Sequence, residues 1–149
     1  MIPKKESVLR KKVKDFAAWN ISQGRPVHLT WVESHQTALG APDVQYCCYE
    51  VEGWLELKAF PDPEVRASQV MWMEEHIKAG GFPLFMFQNA GVFIIVAGSR
   101  AADLRHNGSL ENIMRLAYFI GGQDAMRREF LSILRNPRRV YEHTERNTD

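Results

Sequence analysis

A chain of 149 residues with 45% apolar and 25% charged side chains has the make-up of one soluble globular domain, long enough to bury a sizeable core. Its net charge of +1 assigns no partner by itself, and no apolar run has the length of a membrane span or the form of a signal peptide, which points to the cytosol, a host's included. The two cysteines, Cys47 and Cys48, are adjacent and face opposite ways on a strand, so neither a disulfide nor a zinc site follows from them.

Charge is unevenly spread. Residues 1–14 carry six Lys and Arg against the single acid Glu6, and residues 127–149 carry six Arg against four acids, while the middle of the chain is acidic. Basic ends around an acidic centre suit a protein that grips phosphate with its periphery and holds metal in its middle, although solvated helix faces produce the same pattern.

From the start, Lys4 to Trp19 reads as an amphipathic helix on Val8, Leu9, Val13, Phe16 and Ala17, broken by Gly24 and Pro26. Val27 to Val32 alternates as a strand, and Glu33 to Pro42 is a polar loop turning at Gly40. Val44 to Tyr49 and Gly53 to Ala59 form a hairpin joined across Glu50, Val51 and Glu52. Glu64 to Ala79 is a second helix with Val65, Val70, Met73 and Ile77 inward, capped by Gly80 and Gly81.

Pro83 to Gln88 and Val92 to Ala97 are strands around the turn Asn89-Ala90-Gly91. Helical segments follow near Ala101 to Leu104, Ser109 to Phe119 and Gln123 to Leu134, and Arg138 to Asp149 reads as a polar, frayed tail. The order of elements predicts an α/β fold with a mixed central sheet flanked by helices.

The chemistry concentrates on the hairpin. On its second strand Trp54, Glu56 and Lys58 share one face and Leu55 and Leu57 the other. Asp43, at the start of the neighbouring strand, and Glu56 can offer hard oxygen ligands to one divalent cation, with the Leu57 backbone carbonyl as a third ligand and water completing the octahedron that Mg²⁺ demands. Lys58 lies on the face of Glu56, where an ammonium can hold an attacking water or offset charge growing on a phosphate. Glu56-Leu57-Lys58 is the only acid-x-Lys triplet in the sequence, so no rival triplet competes for this role.

Gly40-Ala41-Pro42-Asp43, then Trp54-Leu55-Glu56-Leu57-Lys58, then Arg66-Ala67-Ser68-Gln69 on a helix ending Ala79-Gly80-Gly81 resembles the PD-(D/E)xK nuclease superfamily, nearest its VRR-NUC and phage Holliday-junction-resolvase-like branch. The resemblance runs from Glu6 to Gly98. It implies a restriction-endonuclease-like core over residues 1–98, with 99–149 an added C-terminal helical segment packed on it. It further implies a Mg²⁺- or Mn²⁺-dependent endodeoxyribonuclease acting on branched DNA, as a homodimer. Catalytic roles fall on Asp43, Glu56, Lys58 and Gln69, the last placing the attacking water; the metal set is Glu6, Asp43, Glu56 and Leu57. The competing class is a non-catalytic nuclease-like fold kept for DNA binding or assembly.

Other residues receive plainer readings. Ser34 and His35, in the loop with Glu33, are close enough in sequence to reach a phosphate, but a solvated loop is preferred. His28 reads as a packed core histidine and His76 as a surface one. Trp19, Trp31, Trp54 and Trp72 read as core, Trp54 also as a wall of the site, and Met71-Trp72-Met73 as core. Arg128, Arg135 and Arg138 share a helix face that is either a DNA-backbone stripe or a solvated one.

Overall fold

Apolar side chains alternate along successive short segments, and these segments become neighbours in a single sheet. The computed structural model describes residues 4–32 and 39–146, so Glu33, Ser34 and His35 lie outside the described residues. The sheet has the order β1 (His28–Trp31), β2 (Val44–Cys48), β3 (Val51–Ala59), β4 (Leu84–Asn89), β5 (Val92–Ala97) and β6 (Phe119–Gly121). β3 and β4 run parallel and every other neighbouring pair antiparallel, so the sheet is mixed.

Strand alternation sends the two sets of side chains to two cores. Leu55, Leu57, Leu84, Met86, Phe93 and Ile95 pack with α1 (Lys4–Ser22), α5 (Gln123–Arg135) and α6 (Pro137–Arg146). Phe85, Phe87, Ile94 and Val96 pack with α2 (Ala67–Lys78), α3 (Ala101–His106) and α4 (Leu110–Leu116). This is an α/β fold with helices on both faces. Among the described residues no helix is long and apolar enough to cross a membrane.

Several expected boundaries shift, each for a physical reason. The hairpin turns on Tyr49-Glu50 alone, both with positive φ (48° and 67°), so Cys48 pairs with Val51 and β3 starts earlier than Gly53. α2 begins at Ala67 because Arg66 is extended and serves as its N-cap, leaving Val65 buried outside the helix. At its other end Gly80 N–H donates to Ile77 O and Gly81 N–H to His76 O, with Gly80 at φ +103°, so the expected glycine cap is a Schellman motif. The segment read as a helix through Phe119 ends at Leu116, and Phe119–Gly121 adds an edge strand instead.

Arg138 to Arg146, expected to fray, is part of α6: Pro137 opens the helix, and Val140, Tyr141 and Thr144 bury one face. The Tyr141 hydroxyl donates to the Pro83 carbonyl at 2.5 Å, tying this helix to the start of β4. His28 is exposed rather than packed, because β1 is the sheet edge. Val8 is likewise exposed while its neighbour Leu9 is fully buried, which rotates the inner stripe of α1. The four tryptophans are half-buried, none wholly core, and Met71 is exposed.

Gly40 is required where it stands. Its φ is +83°, and a Cβ there would lie 2.1 Å from the Ser68 carbonyl oxygen at the start of α2. Gly40→Ala is therefore expected to destabilise by about 1–3 kcal/mol in urea unfolding. Gly24, with a similar φ of +80° but open space around it, is the control. Equal losses in both alanine variants would remove the close approach as the cause.

Candidate active site

β2 pairing with β3 stops at Val44 and Leu55, and the outer edge of β3 beyond that point is completed by a side chain. The Leu57 N–H donates to Asp43 Oδ2 at 2.8 Å, in place of a strand partner. Asp43 is fixed on all sides: its carbonyl accepts from Val32 N–H, its own N–H donates to Glu56 Oε1 at 3.1 Å, and Oδ1 accepts from the Arg10 guanidinium at 2.9 Å. N–H and C=O of one strand residue point the same way, so the Leu57 carbonyl also faces this open edge.

Glu56 and Lys58 project to the α2 face, as alternation predicts. Gln69, in the first turn of α2, joins them. Its Nε2 donates to Glu56 Oε2 at 2.6 Å and its Oε1 accepts from Lys58 Nζ at 2.8 Å and from Arg66 N–H at 2.9 Å. Lys58 Nζ also donates to the Glu64 carbonyl at 2.6 Å and stands 3.5 Å from Glu56 Oε2. One glutamine thus caps its own helix and fixes the spacing of an acid and an ammonium.

These residues line a cleft of about 570 Å³, with Glu6 and Arg10 of α1 on one side and Asp62 and Glu64 on the other. Asp43, Glu56, Leu57, Lys58, Gln69 and Glu6 therefore lie together. Trp54 does not wall this cleft: it packs against Trp72 at 5.3 Å, while Trp72 stacks on His76 at 4.5 Å, which makes His76 half-buried rather than a surface histidine. Burial lowers the His76 pKa. On the opposite face burial, with Cys47 adjacent, pushes the Cys48 thiol up to about 11, as befits a structural cysteine.

Arg10 is the residue that sequence reasoning missed. It is buried, leans on Trp31 at 5.4 Å, and its guanidinium is 3.9 Å from Glu6 one helical turn earlier. A signal was available: 6, 10, 13 and 17 lie on one helix face, so an arginine there is directed at the interior with Val13 and Ala17.

The charges lining the cleft balance in number, Glu6, Asp43, Glu56, Asp62 and Glu64 against Lys4, Lys5, Arg10, Lys58 and Arg66. The Glu56 carboxyl is held well above its ordinary value of 4.5, by burial first and the Asp43 carboxylate second, with Lys58 opposing. The sign for stability follows. Below 4.5 both folded and unfolded chains hold this proton; above it the unfolded chain ionises first, so the contribution is full below 4.5 and is lost as pH rises toward the folded value. Urea unfolding in EDTA is expected to show declining stability across that window, and Glu56→Gln a flatter profile. Matching profiles for the two proteins would contradict the reading.

The donor set suits a hard divalent cation: the two buried carboxylates of Asp43 and Glu56, and a backbone carbonyl at an open strand edge. Among the described residues, however, no group of three or more His, Cys, Asp or Glu side chains converges as a ligand cage. Comparison with models of known protein families gives no match, and comparison with curated proteins gives none.

Proposed function

We propose that this protein is a metal-dependent endodeoxyribonuclease of the PD-(D/E)xK type that hydrolyses phosphodiesters. The observation that carries the reading is the meeting of Asp43, Glu56, Lys58 and Gln69 in one open cleft, with Glu6 among its lining residues. Asp43, Glu56 and the Leu57 carbonyl would hold Mg²⁺ or Mn²⁺, with Glu6 as an outer contributor. A bound cation supplies Lewis acidity toward a phosphate and lowers the pKa of water.

The protein's own groups do the rest. Lys58 presents an ammonium to the charge that grows on the phosphate oxygens, and Gln69 keeps that ammonium from collapsing onto Glu56. Arg10 holds the Asp43 carboxylate in one orientation. The finer preference is for branched DNA, cut by a homodimer, since symmetric incision of a junction needs two sites.

One observation favours a non-catalytic DNA-binding or assembly module instead: the Arg10 guanidinium already occupies Asp43 Oδ1 at 2.9 Å, where a cation would compete for that oxygen. The two readings separate on a labelled four-way junction and a linear duplex, each incubated with Mg²⁺ and with EDTA. Metal-dependent incision, stronger on the junction, is expected. Binding with no incision under Mg²⁺ or Mn²⁺ would leave only the module.

A further inference from the structure

A second cleft, of about 410 Å³, lies at the far end of α1, under the tip of the β2–β3 hairpin. Trp19, Arg25, Tyr49, Arg128 and Arg135 line it, and no acidic residue does. Arg25 sits 4.9 Å from the Trp19 ring, with its Nε–H donated to Asn20 Oδ1 at 2.9 Å; Arg135 sits 4.0 Å from the Tyr49 ring. Two guanidinium groups are thus held by rings and an amide. Among the described residues neither they nor Arg128 form an ion pair with a carboxylate. Arg127, which reaches Trp19 from another direction, differs in being paired with Asp124 at 3.2 Å.

Gathering cations this way leaves their mutual repulsion only partly offset by the ring faces, so the cleft is built for an anion. Guanidinium forks fit phosphate oxygens bidentately, and rings beside them suit a nucleic-acid strand. The anion is one member of a polymer, because the positive charge continues. Lys11 and Lys14 are exposed on α1 between the two clefts, Lys14 lying 5.1 Å over Trp31.

The two clefts are separated by the length of β2 from Asp43 to Tyr49, about 20 Å, and by the α1 segment from Arg10 to Trp19, about 13 Å. Both spans are several times the axial rise of about 3.4 Å per nucleotide, so one DNA arm is long enough to reach both clefts. We propose that the second cleft holds a backbone phosphate of the DNA arm whose cut phosphate lies in the Asp43–Glu56–Lys58 cleft. Only the identity of the cut phosphate rests on the nuclease reading; the anion site stands on its own residues.

The test uses the full chain in EDTA, with fluorescence anisotropy of a labelled duplex and a labelled junction at several salt concentrations. Arg128→Gln with Arg135→Gln is expected to weaken binding about ten-fold and to make the salt dependence shallower by about one to two units of slope. Arg128→Gln alone, which removes a charge with no ring contact, should move both in the same direction by less. Arg128→Lys with Arg135→Lys, which keeps both charges, should keep most of the slope. Unchanged affinity and slope in a glutamine double variant that unfolds at the wild-type temperature would overturn the proposal. So would variants that lose inorganic phosphate or anionic phospholipid vesicles while binding DNA normally. If binding depends on these arginines but Mg²⁺ produces no cutting, the phosphate site survives and the nuclease reading fails; cutting with arginine-independent binding is the reverse.

Discussion

Replacing Lys58 with methionine is expected, on the nuclease reading proposed above, to lower kcat for metal-dependent cleavage by about 10²- to 10³-fold, while the affinity for the cation changes little. Lys58 touches Gln69, the Glu64 carbonyl and Glu56 but makes no hydrogen bond to Asp43, so its loss removes transition-state charge stabilisation and leaves the Asp43 oxygens intact. Asp43→Asn should behave differently, losing both cation affinity and rate, because on that reading the carboxylate is itself a ligand. Single-turnover cleavage with a Mg²⁺ titration separates the two. Equal loss of Mg²⁺ affinity in Lys58→Met would mean that the lysine only holds Glu56 in place.

The second large effect concerns Arg10. Its removal leaves the Asp43 carboxylate buried beside Glu56 without its strongest partner, and breaking a buried pair from one side costs about 3–5 kcal/mol. Arg10→Ala is expected to lose that much in urea unfolding, and the pair Arg10→Ala with Asp43→Asn to recover much of it, since the stranded charge is then gone. Mg²⁺ should stabilise Arg10→Ala more than wild type, because the cation takes over neutralisation of Asp43. A loss no larger than that of an exposed arginine would show that Asp43 is solvated enough to stand alone.

Much of the architecture was legible because it depends on a short period. Alternation along 54–58 placed Glu56 and Lys58 on the face opposite Leu55 and Leu57, and the structure has that division. Gln69 was singled out through the family resemblance, and only the later helix start at Ala67 puts it in the first turn. What stayed hidden depends on distant contacts or on unusual local residues. Arg10 meets Asp43 across 33 positions of sequence, which no local pattern encodes. The hairpin tip uses Tyr49-Glu50 where asparagine and glycine are the usual residues for positive φ, so the turn was read a residue or more too late.

β6 is three residues long, shorter than any pattern of alternation can mark, and Pro137 stands where it could equally end one helix or begin the next. Trp19, Trp31, Trp54 and Trp72 were read as core because one falls in each early element. Their rings instead carry arginines or lysine, or stack with other rings near the surface, where a large apolar body with an accessible edge is useful.

The Leu57 amide gives the cleft one more property. It belongs to a strand edge, yet its partner is a side chain held in turn by α1, while the residues flanking Leu57 are clasped by α2. Contacts spanning 11, 13, 14 and 33 positions must all be made before that arrangement exists. Loop closure delays such contacts, and the parallel β3–β4 pair adds its own crossover. A folding intermediate lacking either helix would leave the cleft's acids open to water. Chemistry at this site is therefore confined to the finished fold.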